Sequence, residues 1–130
     1  MSPQEKLYKP EYAAELLSIA SGDLASARGL YKIDEGRREN IAFLVQQVIE
    51  KSVKAVLCRK KIPVPLAHDM GALVAKLPAT AMPPQGYALN ELNEYATVRR
   101  YEEGRAELTR EEISRMLATA EAVLGWAKKS

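Results

Sequence analysis

The feature that most constrains this chain is one long apolar stripe. Along "ENIAFLVQQVIEKSVKAVLCRKK", the residues Ile41, Leu44, Val45, Val48, Ser52, Ala55 and Val56 recur at helical spacing. Side chains three and four apart share one face of an α-helix, whereas a strand would scatter this set over both faces. The spacing predicts a helix from about Glu39 to Lys60. Pro63 and Pro65 prevent it from continuing, and the basic residues at its C-terminal end complement the helix dipole. A rod of this length hides its stripe only against other elements, so it calls for partners.

The rest of the chain supplies them. Leu16, Ala20, Leu24, Ala27 and Tyr31 form the stripe of a first helix, with Pro10 in its first turn and Gly36 beyond its end. A short helix is expected from Asp69 to Leu77, with Asp69 as N-cap and Pro78 closing it. "PATAMPPQG", residues 78–86, reads as a loop. A further long helix is expected from about Leu89 to Arg100. In "LTREEI", the Thr109 hydroxyl can accept from the backbone of Glu112 while the Glu112 carboxylate reaches back, which is a capping box. The last helix then carries Ile113, Leu117, Ala120, Leu124 and Ala127 on one face. No segment shows a clear period of two. The expected fold is all-α: an antiparallel up-and-down bundle of four long helices plus a short connecting helix.

Composition narrows the class. The 130 residues suffice for one domain, expected to span 1–130, and 47% hydrophobic with 28% charged residues describes a globular chain. A single cysteine, Cys58, excludes an internal disulfide and a cysteine zinc cage, and fits a reducing cytoplasm. No apolar run reaches the roughly 20 residues that span a bilayer, and the N-terminus lacks the core of a secretion signal. The reading is cytoplasmic, with no membrane association. One histidine and no dense acidic cluster give no metal site, no glycine-rich phosphate loop is present, and no cofactor is expected.

The net charge of +2 is modest, but its distribution is uneven. Lys51, Lys54, Arg59, Lys60 and Lys61 occur between residues 51 and 67 with no acidic residue among them. Gln47, Lys51 and Lys54 share one flank of the second helix, where two ammonium groups and an amide suit a phosphate and a base or ribose. The same trio also suits a solvated flank with an ordinary Glu50–Lys54 pair. Arg99, Arg100 and Tyr101 end the fourth expected helix, where guanidinium can fork onto phosphate and a ring can support it. Positive charge at a helix C-terminus is favoured by the dipole alone, so both readings stay open. His68 either starts the short helix beside Asp69 or contacts a ligand. Asp23, if buried, needs a cation, with Lys51 or the arginines as candidates, and a capping or solvent-facing role is equally open. Trp126 reads as a core or dimer-contact residue, and Cys58 as a small packing residue. Exposed apolar residues near the first helix, Leu7, Tyr8 and Tyr12, suggest burial against a second copy.

The stretch from Glu39 to Leu73 resembles the pattern of HEPN domains, small helical proteins often encoded beside minimal nucleotidyltransferases. The resemblance rests on Phe43, Gln46, Gln47, Glu50, Lys51, Lys54 and Ala55, then His68, Asp69 and Leu73 after the prolines. "LNELNEYATVRRYEEG" resembles the family's second signature, with Leu92, Asn93 and Tyr95 leading to Arg100 and Tyr101. The first helix fits too, with Asp23 among small and apolar residues. Glu102 stands where the family often has proline. Ribonuclease members carry an arginine and a histidine a few residues apart. Here eight residues, two of them prolines, separate Arg59 from His68, and no histidine follows Arg99 or Arg100.

The resemblance implies a nucleotide- or polyphosphate-binding module, or a partner of a separate-chain nucleotidyltransferase, within a toxin–antitoxin pair. A homodimer and RNA as a ligand belong to the same expectation. Gln47, Lys51, Lys54, His68, Arg99, Arg100 and Tyr101 are the expected ligand contacts. The alternative is a metal-independent ribonuclease in which His68 moves a proton and Arg59 or Arg100 stabilises a phosphorane.

Overall fold

The computed structural model describes residues 4–33, 37–66, 69–91 and 108–130. Three long helices dominate: α1 (Tyr12–Lys32), α2 (Arg38–Arg59) and, last in the chain, α4 (Arg110–Lys129). A short α3 (Met70–Ala75) lies between α2 and α4, accompanied by two 3-10 segments, Ala79–Ala81 and Gly86–Glu91. The all-α expectation is therefore met by three long helices. Of the fourth, expected from Leu89 to Arg100, only Leu89–Glu91 fall in the described residues, and there the backbone is 3-10.

The helix ends follow local chemistry. Asp69 caps α3 by accepting from the Gly71 N–H at 2.9 Å. The same amide also reaches Asn90 Oδ1 at 3.2 Å, and a Cβ at Gly71 would stand only 3.0 Å from that oxygen, so the close approach suits glycine. Thr109 and Glu112 form the capping box of α4, both bonds at 3.1 Å. Pro10 falls just ahead of α1 rather than inside its first turn, and its carbonyl accepts from the Ala13 N–H. At the far end of α2 the prolines are not the immediate stop. Lys61 adopts φ 58°, its N–H reaches Cys58 O, and the Ile62 N–H reaches Leu57 O. That pair of bonds is a Schellman closure.

One small strand pair accompanies the helices. β1 (Glu5–Lys6) pairs antiparallel with β2 (Val64–Pro65), with Glu5 opposite Pro65 and Lys6 opposite Val64. The Leu66 N–H to Gln4 O bond extends it. A two-residue ladder tolerates proline because so few N–H donors are needed. An ion pair between Glu5 and Lys76 ties the same N-terminal segment to the end of α3.

α2 is the central rod. Twelve of its 22 residues are buried, against six of 21 in α1 and seven of 20 in α4. It is buried on more than one face because α1 packs on one side and α4 on another. α1 returns antiparallel along α2: Leu30 and Tyr31 near its end share a crevice with Arg38 and Ile41 at the start of α2, whereas Tyr12 and Leu16 near its start meet Lys51 and Lys54 in the second half of α2. α4 runs in the same direction as α2. Arg38 at the start of α2 donates to Leu108 O at 2.8 Å, and Arg59 at its end donates to Ala127 O at 2.7 Å and Ser130 O at 2.9 Å. The core between them is Val45, Val48, Ile49, Val53 and Val56 against Leu16, Leu24, Ile113, Leu117 and Leu124. Met70, Leu73 and Leu89 extend it under α3, and Trp126 packs at its margin. No described helix is long and apolar enough to cross a membrane.

Candidate functional site

The flank of α2 that carries Gln47, Lys51 and Lys54 faces the first turns of α1. Because α1 is antiparallel, its N-terminal end and the segment before it come alongside the second half of α2. Together they enclose a hollow of about 200 Å³, lined by Tyr8, Tyr12, Leu16, Gln47, Glu50, Lys51 and Lys54. The three α2 residues singled out by spacing therefore border one space.

Neither ammonium group stands alone. Lys51 donates to Asp23 at 2.6 Å, joining α2 to α1, and Lys54 donates to Glu50 at 2.9 Å within α2. The Asp23–Lys51 pair is the outcome that burial of Asp23 demands: each side chain is 23% exposed, and a half-buried carboxylate takes the nearest cation. Glu50 differs from the solvated flank that i,i+4 spacing suggests. Its side chain is only 4% exposed, because α2 is covered on that side as well. Among the described residues no buried side-chain nitrogen or oxygen lacks a hydrogen-bond partner.

The opposite wall is aromatic. Tyr8 and Tyr12 stack with centroids 5.1 Å apart and planes inclined by 22°, and the Lys6 ammonium lies 4.9 Å from the centre of the Tyr8 ring. Both tyrosines are half-buried and pack against the core, whereas Leu7 stays 62% exposed. The three residues expected to meet a second copy thus separate into an intramolecular pair and one exposed leucine. The tyrosines are the part of this site that spacing along α2 does not reveal. Their four-residue separation was the available signal, but only the antiparallel return of α1 aims them at Lys51 and Lys54.

The remaining candidates divide into two groups. Arg59 is engaged by the C-terminal carbonyls of α4, where a guanidinium offsets the negative end of the helix dipole. His68, Arg99, Arg100 and Tyr101 lie outside the described residues. Cys58 is buried, and burial raises its thiol above the ordinary value of 9.0, against smaller lowering by a backbone hydrogen bond and by Lys54. It packs as a small apolar group, not a nucleophile. Among the described residues no group of three His, Cys, Asp or Glu side chains could hold a metal ion.

The described residues define an all-α protein with a small amphipathic hollow between its first two long helices. The chain belongs to the HEPN domain family, whose model matches residues 13–130. Comparison with curated proteins and with solved structures gave no match. Tyr8 and Tyr12 precede the matched span, while Gln47, Glu50, Lys51 and Lys54 lie within it.

Proposed function

We propose that this chain is a nucleotide-binding HEPN module with its ligand seated between α1 and α2. The observation that carries the reading is the shared hollow: two ammonium groups, an amide and two tyrosine rings border one space of about 200 Å³. Ammonium groups donate to phosphate and ribose oxygens, an amide can read a base or ribose, and rings accept a base. In this reading Gln47, Lys51 and Lys54 contact the ligand, and His68, Arg99, Arg100 and Tyr101 supply further contacts to its anionic end. The expected polyphosphate contacts fall to that second group, since Asp23 and Glu50 already offset the two lysines.

Family membership supports a working partner, a nucleotidyltransferase on a separate chain within a toxin–antitoxin pair, and a homodimer in the cytoplasm. The partner's carboxylates and metal would then perform chemistry on a nucleotide that this chain holds. The ribonuclease alternative is weakened by Arg59, whose guanidinium is committed to the end of α4. It would need His68 and Arg100 alone.

Calorimetric titration of the full chain with each of the four nucleoside triphosphates tests the proposal. Saturable binding of at least one is expected, weakened by Gln47→Ala and by the paired change Asp23→Asn with Lys51→Met, which removes an ion pair without stranding a charge. No saturable binding by any of the four contradicts it. Incubation with a mixed RNA pool, beside His68→Ala, decides the alternative: cleavage by the parent chain alone would favour the ribonuclease.

A further inference from the structure

The hollow between α1 and α2 is close to electrically balanced. Lys51 and Lys54 bring two positive charges, Glu50 lines the same space, and Asp23 holds Lys51 at 2.6 Å. A phosphate brought to these ammonium groups also meets two carboxylates at comparable range. Attraction and repulsion then nearly cancel, since both follow the same inverse distance law. A polyanion gains little there.

The size and walls of the hollow favour a different occupant. About 200 Å³ lies below the roughly 300–1,000 Å³ that encloses a drug-sized ligand, so it suits one flat ring system and not a whole nucleotide. Tyr8, Tyr12 and Leu16 form an apolar side, and aromatic carbon prefers another ring in offset or edge contact. The polar side mixes donors and acceptors. The Gln47 amide has both, and each ammonium has three N–H donors of which one is aimed at its carboxylate. A phosphate offers mainly acceptors, whereas a base edge offers both kinds.

We propose that this hollow is a nucleobase pocket, walled by Tyr8 and Tyr12 and read by Gln47, Lys51 and Lys54, with the phosphates of the ligand held outside it. The assignment rests on the nucleotide-binding reading and narrows it. It also gives a role to two tyrosines that lie ahead of the family-matched span.

The experiment titrates the full chain by calorimetry with adenosine, guanosine, cytidine and uridine, and separately with inorganic tripolyphosphate. At least one nucleoside is expected to bind saturably, with affinity nearly independent of salt, because no phosphate contact releases counterions. Tyr12→Leu is expected to weaken that nucleoside about tenfold or more, the loss that follows removal of one base–aromatic stack, while Tyr12→Phe retains it. Gln47→Ala, a position outside every described ion pair, is a second variant should Tyr12→Leu unfold. Tripolyphosphate is expected not to compete. Tripolyphosphate binding without nucleoside binding would overturn the base assignment and leave nucleotide binding standing. Nucleoside binding indifferent to both Tyr12→Leu and Gln47→Ala would overturn the assignment to this hollow. Failure of nucleosides, nucleoside triphosphates and tripolyphosphate alike would remove both proposals.

Discussion

Glu50 and Lys54 stand one turn apart, a spacing that on most helices marks a solvated pair worth a few tenths of a kcal/mol. Here the carboxylate is buried, and the Lys54 ammonium is a partner that offsets the cost of placing it there. Lys54→Ala should therefore cost about 1–3 kcal/mol, below the full penalty for a completely buried pair because Lys54 itself is partly solvated. The double change Glu50→Gln with Lys54→Met should recover much of that loss, and urea midpoints of the parent chain and the two variants measure it. Cys58 makes a second prediction. Its thiol is neutral in the folded chain beyond the pH at which the unfolded chain ionises, since burial raises its folded value. The contribution of Cys58 to stability is thus full below about pH 9 and lost as the pH rises through the raised value. Urea midpoints from pH 7 to 10 should fall at the alkaline end more steeply in the parent chain than in Cys58→Ala. At this scale the sequence disclosed what depends on neighbours along the chain. Asp69 and the Thr109–Glu112 box were legible because a cap needs only the next two or three residues. The burial of Glu50 was not, because it depends on elements tens of residues away.

Among the elements, α2 ends on Lys61 in the left-handed region, a conformation that glycine adopts without a clash between Cβ and carbonyl. Lys61→Gly should consequently stabilise the chain by about 0.5–1 kcal/mol, seen as a raised thermal midpoint, despite removing a charge. A lower midpoint would mean that the Lys61 side chain supplies more than the strain costs. The prolines correctly announced that α2 must stop by Pro63, but the Schellman closure acts earlier and leaves no mark in residue type, since lysine is an unfavoured choice for it. The strand pair Glu5–Lys6 with Val64–Pro65 was equally hidden: two residues cannot display an alternation. That ladder and the Glu5–Lys76 ion pair hold the N-terminal segment beside α2, and with it Tyr8 at the wall of the hollow.

For the molecule as a whole, the chain enters α4 at the same end as α2, tied there by Arg38 and at the far end by Arg59. This arrangement leaves the α1–α2 flank free of α4, which is where the hollow opens. Gln47, Lys51 and Lys54 were legible as one flank from their spacing; the tyrosine wall was not, because it exists only once α1 folds back. If the chain works beside a nucleotidyltransferase, a tagged chain should retain that class of protein from cells expressing both reading frames, and size-exclusion with light scattering should give twice the chain mass for a homodimer. The most direct test of the central claim is amide and methyl chemical-shift mapping as the tightest-binding nucleotide is added. Perturbations concentrated on Tyr8, Tyr12, Leu16, Gln47, Lys51 and Lys54 are predicted. Perturbations confined to the cleft lined by Gln85, Glu91, Arg115 and Thr119, with the α1–α2 flank unmoved, would contradict it.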